Sequence, residues 1–534
     1  MHRFGRRLDG DHMKFRRSIG RVQRCGVLAI MALLAQDLVT CQAAPSFTLT
    51  SLTRSASGQV VLNWTAETNA YANLFFQVES AASIGSGFAP VSPFISETSS
   101  LAFTDTVSSA VSTTFYRIAA TPAFTAMNQT NAFLAYAATN VDGLNTVGYA
   151  GAVFDGRYVY FVPYQNSTSA HGRVLRLDTQ GSFTDASSWW AYDATKAVGA
   201  GAVGFTGGVF DGRYVYFSPQ LTVPPSGELR YDTQGDFTNT SSWTLYDAGT
   251  TDGLSCKGFQ GAVFDGRYVY YVPHYNTNAA PGGWNGVVLR YDSQSAFTNV
   301  ASWHAYDAGN TGGLPAKGYS SGIYDGRYVY FVPTVNGVQA NGSGVVLRYD
   351  TQDGFTNSAS WQAYDAGNTG GMVSTIFKGA AFDSRFIYFT PYPNNSNCVV
   401  LRYDTQTAFT NSAGWSAFNA TNTSGLTTEG YDGAVFDGRF VYFVPYHTAA
   451  SAFHGRVLRY DSQGAFTNSV SWTAFDASAT AGLQTQGYVG AVSDGRYIYF
   501  APYFNGSAYS GNVLRFDSRL PRAIPPTVIG GSNL

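Results

Sequence analysis

Aromatic side chains recur at one place in this sequence, directly after a proline that ends an apolar run or a few residues beyond it. Aromatic planes stack on the C–H faces of sugar rings, and amide groups pair with sugar hydroxyls. The pattern favours a site for a neutral carbohydrate, and the alternative is that these tyrosines only pack loop on loop. The candidate ligand-binding residues are Tyr164, His274, Trp284, Tyr392, Tyr446, His447, Tyr503 and Tyr509. The accompanying asparagines are Asn166, Asn276, Asn394, Asn395 and Asn505.

Signals for catalysis are weak by comparison. Glu228 and Glu429 are the only glutamates between residues 130 and 517, so a pair of glutamates for acid–base chemistry is not expected. Aspartate is plentiful there but belongs mostly to a repeat. Lys257 and Lys317 precede two neighbouring repeats, where a structural or solubilising role is expected rather than a functional one.

Three histidines are candidate metal ligands. His447 and His454 share one loop, and His171 stands at the position equivalent to His454 in another repeat. A metal site would need a further ligand that the sequence does not supply. We therefore expect surface histidines, no metal and no cofactor.

A repeated phrase organises the chain around these residues. Asp-Gly-Arg-Tyr-Val-Tyr-Phe, or a close variant of it, occurs seven times at intervals of 54 to 60 residues. Repetition at such a period is typical of arrays and propellers. The copies begin at Asp155, Asp211, Asp265, Asp325, Asp383, Asp437 and Asp494.

Each repeat predicts four short strands. An apolar stretch of small residues (148–154 in the first copy) meets an Asp-Gly turn of the kind that two-residue hairpins need, and an aromatic strand ending in Pro follows. After a variable loop come Val-Leu-Arg-Tyr-Asp (288–292, for example) and Ser-Trp-x-Ala-Tyr-Asp (360–365, for example). Seven such units predict an all-β, seven-bladed β-propeller with four-stranded blades.

The ends of the repeat region predict how the ring closes. The last copy stops after its third strand, at 513–517, and a matching fourth strand stands before the first copy, at 133–137. There Phe133 takes the place of the tryptophan. One blade is therefore expected to combine both ends of the segment, which removes two exposed sheet edges.

Two resemblances follow from these patterns. The repeat resembles the kelch family of propellers over residues 130–517, in its order of small-residue strand, turn, aromatic strand, Val-x-x-Tyr-Asp and Trp-bearing strand. Kelch repeats carry a Gly-Gly pair where this chain has Val-Pro-Tyr or similar, so the likeness implies a fold and no function. Residues 45–121, with Trp64 and the closing Phe-Tyr-Arg-Ile at 115–118, resemble fibronectin type III-like sandwiches of exported bacterial proteins, which implies a spacer. Residues 518–534 are expected to form a short C-terminal tail.

Residues that occur in every repeat are expected to serve the blade rather than a single site. Arg157, Arg176, Asp178 and their counterparts predict a buried or half-buried network of Arg–Asp pairs that ties strands and blades together. Trp189 and its counterparts are expected in the core. Function is then expected on the other face, where the loops between the second and third strands vary from copy to copy.

The amino terminus predicts export. The first 43 residues hold eight Lys or Arg, then an apolar run at 26–35 and a small-residue end, as in a bacterial signal peptide. The run is too short to span a bilayer, so no transmembrane segment is expected. Lipid anchoring at Cys41 is the less favoured alternative to a secreted, periplasmic or cell-surface protein without an anchor.

Removing that segment leaves an acidic chain. The whole sequence has 32 basic and 34 acidic residues, and residues 1–43 hold eight and three of them, so the remainder carries 24 minus 31, or −7. No basic footprint for nucleic acid or anionic membranes exists. The remaining cysteines, Cys256 and Cys398, are too few for a disulfide framework and predict free thiols.

The sequence thus favours an exported, monomeric, non-catalytic binding protein for carbohydrate or another surface polymer. Two alternatives stay open. One is an extracellular glycan-processing lyase or hydrolase that uses Asp, His or Tyr on the variable face. The other is a protein-interaction or adhesion scaffold with no small ligand.

Overall fold

The structure is a computed structural model in which the chain divides into two units, Met1–Ala44 and Pro45–Leu534. The predicted signal peptide at 1–43, including Cys41, lies outside the described residues, as do residues 521–534 of the predicted tail. The described residues are 47–54, 59–66, 75–81, 89–92, 95–96, 102–106, 115–121, 123–129, 131–220, 227–277, 283–339, 342–393 and 397–520.

Seven four-stranded antiparallel sheets form the blades of a propeller, numbered I to VII here. Blade I comprises Tyr149–Phe154, Tyr158–Pro163, Arg173–Asp178 and Trp189–Asp193. Blade II comprises Phe205–Phe210, Tyr214–Pro219, Glu228–Asp232 and Trp243–Tyr246. Blade III comprises Phe259–Phe264, Tyr268–Pro273, Val287–Asp292 and Trp303–Asp307. Blade IV comprises Tyr319–Tyr324, Tyr328–Pro333, Val345–Asp350 and Trp361–Asp365.

The last three blades continue the pattern. Blade V comprises Phe377–Phe382, Phe386–Pro391, Val399–Asp404 and Trp415–Asn419. Blade VI comprises Tyr431–Phe436, Phe440–Pro445, Arg456–Asp461 and Trp472–Asp476. Blade VII comprises Tyr488–Ser493, Tyr497–Pro502, Asn512–Asp517 and, as its fourth strand, Phe133–Ala137.

The blades are arranged as a closed ring. Each first strand contacts the first strands of its two neighbours, and the first strands of blades VII and I contact each other. Seven buried apolar clusters fill the seven interfaces between neighbouring blades. Each second strand ends on its proline, as expected. The prediction of a seven-bladed, all-β propeller is confirmed.

Both ends of the propeller segment meet in blade VII. Phe133–Ala137 pairs antiparallel with Asn512–Asp517, with Phe133 opposite Phe516. Phe133 is 8% exposed and takes the place that a buried tryptophan has in the other blades. A short ladder between Ala123–Phe124 and Arg519–Leu520 extends this contact. The predicted closure of the ring is confirmed.

The repeated Asp-Gly-Arg phrase is a hairpin clamp. In blade I the Asp155 carboxylate accepts hydrogen bonds from the backbone N–H groups of Arg157 (2.8 Å) and Tyr158 (2.6 Å). It also accepts one from the Tyr160 hydroxyl (2.7 Å), and this tyrosine–aspartate bond recurs in every blade. Gly156 has a φ of 103°, which favours glycine. The clamp joins the first two strands and accounts for the constancy of the phrase.

The first repeated arginine pairs with aspartate inside one blade. Arg157, in the turn just before the second strand, meets Asp178 at the end of the third, and the corresponding N–O distances are 2.6–2.7 Å in all seven blades. In blades I to V these arginine side chains are 50–52% exposed, so each pair is a surface ion pair. The Arg213 guanidinium still lowers the pKa of Asp232. These ion pairs join strands within one blade, as predicted, but they do not join neighbouring blades.

The second repeated arginine corrects the predicted network, because it stacks on aromatic rings instead of pairing with aspartate. The Arg176 guanidinium lies 4.4 Å from the ring centre of Tyr158 in its own blade and 4.2 Å from that of Phe237 in the next blade. The same sandwich recurs for Arg230, Arg290, Arg348, Arg402 and Arg515. Here cation–π contacts, not ion pairs, join neighbouring blades.

The repeated tryptophan belongs to the core, as expected. Trp189 is 2% exposed, and its indole N–H donates to the Phe183 carbonyl oxygen at 2.9 Å. The Tyr136 ring of the preceding blade stacks on it with ring centres 5.0 Å apart. Blades therefore interlock through rings as well as through guanidinium groups.

Two small antiparallel sheets precede the propeller. One contains Phe47–Arg54, Gln59–Ala66 and Ala102–Thr106. In the other, Phe75–Ala81 pairs with Ala89–Pro90, Ile95–Ser96 and Phe115–Thr121. Trp64 and Phe76, one from each sheet, pack edge to face with ring centres 6.0 Å apart in a shared buried cluster. The fibronectin type III and kelch resemblances rest on sequence patterns and stay predictions.

The remaining elements are short. Two-residue ladders pair Asn140–Val141 with Leu144–Asn145, Thr250–Thr251 with Leu254–Ser255, Asn368–Thr369 with Met372–Val373, and Asn422–Thr423 with Leu426–Thr427. Single 3₁₀ turns are Ala186–Ser188, Thr240–Ser242, Val300–Ser302, Ser358–Ser360, Ser412–Gly414, Ser469–Ser471 and Thr480–Gly482. An α-helical turn is Thr195–Val198. In the part of the chain listed above as described, no helix is long and apolar enough to cross a membrane.

Candidate functional site

The residue after each strand-ending proline stands beside the start of the first strand. In blade I, Pro163 pairs with Tyr149, and the backbone N–H of Tyr164 donates to the Gly148 carbonyl oxygen at 3.2 Å. The same backbone bond places the equivalent residue in every blade. The seven residues are Tyr164, Gln220, His274, Thr334, Tyr392, Tyr446 and Tyr503. They form a rim on the face that carries the variable loops.

Four consecutive blades, V, VI, VII and I, contribute a tyrosine to this rim. We call Tyr392, Tyr446, Tyr503 and Tyr164 the tyrosine arc. Successive ring centres are 6.0, 6.1 and 5.9 Å apart, and all four side chains are half-buried. Burial raises the pKa of Tyr446, with smaller contributions from Tyr392 and Asp432. The arc therefore stays neutral and offers hydroxyl groups and ring surfaces.

Two further predicted residues join the arc. His447 Nδ1 lies 2.7 Å from the backbone oxygen of Thr448, so Nδ1 carries the proton and Nε2 is free to accept a hydrogen bond. The Tyr392 hydroxyl donates to that Nε2 across 3.1 Å. On the other flank the Tyr509 ring lies 5.4 Å from that of Tyr503. The structure therefore gathers six of the eight predicted side chains into one cluster.

The other two predicted residues form a separate pair. The His274 and Trp284 rings are 5.2 Å apart, and Trp284 also contacts Tyr275 at 5.0 Å. His274 Nδ1 donates to the backbone oxygen of Tyr319 at 2.8 Å. Burial, and next the positive charge of Lys378, lower the pKa of His274 to about 3. His274 is therefore a neutral, positioned side chain.

The accompanying asparagines hold their own loops. The Asn166 side-chain oxygen accepts from the backbone of Thr168 at 2.9 Å, and Asn505 accepts from Ser507 at 3.0 Å in the same way. Asn276 is fully buried and donates to Ser255. Asn394 and Asn395 lie outside the described residues. The described asparagines fix the loop shapes and leave recognition to other groups.

The seven first strands enclose a central cavity of about 190 Å³ below the rim. At their third position the strands come so close that a Cβ on Gly207, whose φ is 75°, would lie 2.9 Å from the Cα of Gly261. The third residue is glycine in six blades and Ser321 in blade IV, so the wall at this level is backbone apart from one hydroxyl side chain. Side chains project inward one residue earlier, at Ala150, Thr206, Gln260, Ser320, Lys378, Asp432 and Val489.

The polar side chains of this cavity differ in whether they already have hydrogen-bond partners within the protein. The Thr206 and Ser320 hydroxyls donate to backbone oxygens of the next blade, at 3.1 and 2.7 Å. The Lys378 ammonium donates to Gln260 Oε1 at 3.2 Å and lies 5.5 Å from the Tyr392 ring centre. Within the described residues Asp432 accepts no hydrogen bond. Burial raises the pKa of Asp432 to about 6, although Lys378 opposes the shift.

Lys378 and Asp432 are not among the residues predicted from the sequence. A signal for them is present, because the second residue of the first strand varies from blade to blade while its neighbours hardly change. Lys257 and Lys317 lie over Gly249 and Gly309 and are not among the residues that line the cavity. Their predicted structural role stays a prediction.

Two histidines expected at the surface are buried, and this corrects the expectation. His171 is 4% exposed and His454 is 2% exposed. In both, Nε2 contacts a backbone oxygen, of Val147 (2.8 Å) and of Glu429 (2.6 Å), while Nδ1 accepts a backbone N–H at 3.2 Å. Burial lowers the pKa of each to about 4. Both nitrogens are thus occupied in holding a loop.

Other reactive groups lie away from the rim. Glu228 is 2% exposed, its carboxylate accepts from the backbone N–H of Ala248 at 2.9 Å, and burial raises its pKa to about 8. Cys256 and Cys398 are buried free thiols, as predicted. Among the residues that the structure describes, no three His, Cys, Asp or Glu side chains are grouped as metal ligands.

Comparison with known proteins adds little to this description. No protein-family model and no curated protein matches the chain. Among solved structures it is similar to the β-propeller domain of the Trilobed protease from Pyrococcus furiosus, at 11% sequence identity and a TM-score of 0.37. The match covers 66% of this chain and 90% of that one, whose propeller is described as having an open velcro topology.

Proposed function

We propose that this chain is an exported binding protein that holds carbohydrate at the rim of its central cavity. The tyrosine arc is the observation that carries the proposal. Four half-buried rings from consecutive blades stand at one edge of a polar cavity. Such rings offer apolar planes and hydroxyls on a rigid support, and both suit a sugar, whose ring has apolar C–H faces and hydroxyl edges.

The placement of the arc supports binding rather than folding as its role. The hydrophobic contacts that hold the blades together lie in the seven interface clusters, and none of those clusters includes a tyrosine of the arc. The rim residue also changes from blade to blade, whereas the clamp on the opposite face is constant. Variation on a rigid scaffold is typical of binding surfaces. The net charge of −7 after residue 43 leaves a neutral polymer as the preferred ligand.

A second candidate, a glycan lyase, is favoured by one contact. The Tyr392 hydroxyl and His447 Nε2, 3.1 Å apart, could relay a proton at the rim. Abstraction of a proton next to a sugar carboxylate would also need that carboxylate neutralised, and Lys378 lies under Tyr392. This candidate predicts turnover of acidic glycans, which the binding proposal does not.

A glycan array probed with residues 45–534 distinguishes the two, followed by a reducing-end assay on every glycan that is bound. Binding without product release is the expected result. Release of unsaturated or shortened products would replace the proposal by the lyase. If the array shows no binding and the assay shows no product, a protein-interaction scaffold is the function that remains. Tyr446→Ala serves as the loss-of-binding control, because its ring is the centre of the arc.

A further inference from the structure

The central cavity contains two opposite charges that do not neutralise each other by contact. Lys378 and Asp432 occupy equivalent positions in the neighbouring blades V and VI. Within the described residues no ion pair or hydrogen bond joins them, and the hydrogen bond that the Lys378 ammonium makes is to Gln260 Oε1 in blade III. A carboxylate and an ammonium in one small cavity, held apart, are costly to desolvate unless something between them hydrogen-bonds to both.

Three of the inward side chains at the second position of the first strands carry charged or amide groups. The Thr206 and Ser320 hydroxyls already donate to neighbouring backbone, and the corresponding residues of blades I and VII are apolar. Gln260, Lys378 and Asp432 remain, in blades III, V and VI, and the Ser321 hydroxyl lines the cavity one residue further along the strand of blade IV. An ammonium donates, a carboxylate accepts and an amide does both, so the set matches hydroxyl groups, each of which can donate and accept.

The size of the cavity limits what can enter it. About 190 Å³ is below the roughly 300–1,000 Å³ of ordinary small-molecule sites. Seven strands surround it, and their third residues close in to backbone contact. A polymer cannot lie across such a well with its middle inserted, whereas one terminal unit can enter from the rim.

Charge limits the occupant further. The two side chains carry no net charge together, so a carboxylate attracted by Lys378 would be repelled by Asp432, and an ammonium attracted by Asp432 would be repelled by Lys378. A charged occupant therefore gains no net attraction from the pair and still loses its hydration. A group without net charge disturbs neither. We infer that Lys378, Asp432 and Gln260 form an end-group subsite in which the uncharged, hydroxyl-bearing terminal residue of a glycan is held beneath the tyrosine arc.

This inference rests on the proposed function and gives it a direction, since the chain would recognise glycan ends rather than glycan interiors. Titration calorimetry of residues 45–534 with neutral hexaoses of glucose, mannose, galactose and xylose tests it, together with hexagalacturonate and chitosan hexaose. We expect a neutral hexaose to bind at least tenfold more tightly than the two charged ones. The trisaccharide of the same sugar should bind within about threefold of its hexaose, because only the end is held.

Matched variants locate the subsite. Lys378→Met and Asp432→Asn should each weaken binding of that hexaose at least tenfold. Lys317→Met and Asp353→Asn make the same chemical changes away from the cavity and should leave affinity within twofold. Thermal melts check folding, and Gln260→Ala, which removes a neutral side chain, replaces any charge variant that does not fold.

The outcomes separate the inference from the proposed function. If a neutral hexaose binds but the cavity variants bind equally well, or if affinity rises steadily with chain length, the end-group subsite is wrong and rim binding stands. If hexagalacturonate or chitosan hexaose binds best, the requirement for an uncharged group is wrong. If neither the array nor any hexaose gives binding, the proposed function fails and the subsite with it.

Discussion

The rings of Phe133 and Phe516 come from opposite ends of the propeller segment and pack with centres 4.7 Å apart. This contact joins the fourth strand of blade VII to its third. Phe133 also stacks on Phe475 of blade VI, with ring centres 5.3 Å apart. The same side chain therefore packs both within blade VII and across the interface between blades VI and VII. Closure therefore depends on a segment that precedes the first complete blade.

Deleting residues 1–140 should open the ring. The truncated chain loses the closing strand and exposes two sheet edges, so we expect aggregation or a stability loss above the roughly 3 kcal/mol that a buried phenylalanine alone supplies. Deletion of residues 1–121 retains the strand and is the control. Light scattering and thermal melting report the difference. A monomeric 141–534 chain that melts with the control would show that closure is dispensable.

Replacing Arg348 by alanine should destabilise the IV–V interface. Its guanidinium lies 4.0 Å from the Tyr328 ring centre and 4.5 Å from that of Phe409 in the next blade. A half-buried cation–π sandwich and its packing are worth about 1–2 kcal/mol. Arg327→Ala removes a half-exposed ion pair and should cost about 1 kcal/mol or less.

Urea denaturation measures both arginine variants. Equal losses for the two would contradict the distinction between stacked and paired arginines. Neither substitution lies on the rim, so affinity for any glycan found on the array should stay unchanged. A well-folded Arg348→Ala variant that no longer binds would mean that the repeated arginines are functional and not structural.

Replacing Tyr446 by alanine should weaken ligand binding without unfolding the protein. The ring lies between Tyr392 and Tyr503, and a lost aromatic contact with its burial is worth about 1–3 kcal/mol. Trp284→Ala tests the separate aromatic pair for a similar effect. Asp325→Ala, which removes a clamp on the opposite face, should do the reverse and lower stability with affinity intact.

Calorimetric titration and melting curves of these three variants identify the binding face. If folded Asp325→Ala loses binding while Tyr446→Ala and Trp284→Ala bind as the parent does, the site lies on the opposite face, which carries the Asp-Gly-Arg hairpins. Loss at Tyr446 alone would leave His274 and Trp284 outside the site, in keeping with their separate contacts.

Glu228 should make stability depend on pH. Its pKa rises from 4.5 to about 8 on folding, so between these values the folded chain keeps a proton that the unfolded chain has released. Stability contributed by this group is therefore lost as pH rises through that window, by up to about 1.4 kcal/mol per pH unit. Glu228→Gln should be more stable than the parent at pH 8 and nearly equal below pH 4.5.

Urea denaturation at several pH values checks this, with Asp353→Asn as a surface control that should follow the parent. The amide can still accept the Ala248 N–H, so the substitution removes only the charge. A constant difference between parent and Glu228→Gln across the range would show that the carboxyl is not protonated in the folded state.

Local patterns made the fold predictable from sequence. The clamp aspartate, the turn glycine and the strand-ending proline act within one hairpin. The number of times they recur therefore predicts the number of blades. The partner of Arg176 was not predictable in this way, because Phe237 belongs to the next blade and is reached only when blades pack. Lys378 and Asp432 were not predicted as site residues for a similar reason. Their position looks like any variable strand residue until ring formation brings all seven first strands to one axis.

The position of the closing strand also sets an order in time. Phe133–Ala137 is synthesised before any complete blade, and its partner Asn512–Asp517 is made only after blades I to VI. Blades I to VI can form in sequence as they emerge, since each is continuous in the chain. This first strand of the propeller segment must wait for its partner until the third strand of blade VII has been made. A premature stop anywhere before residue 512 would therefore leave every finished blade in an open arc.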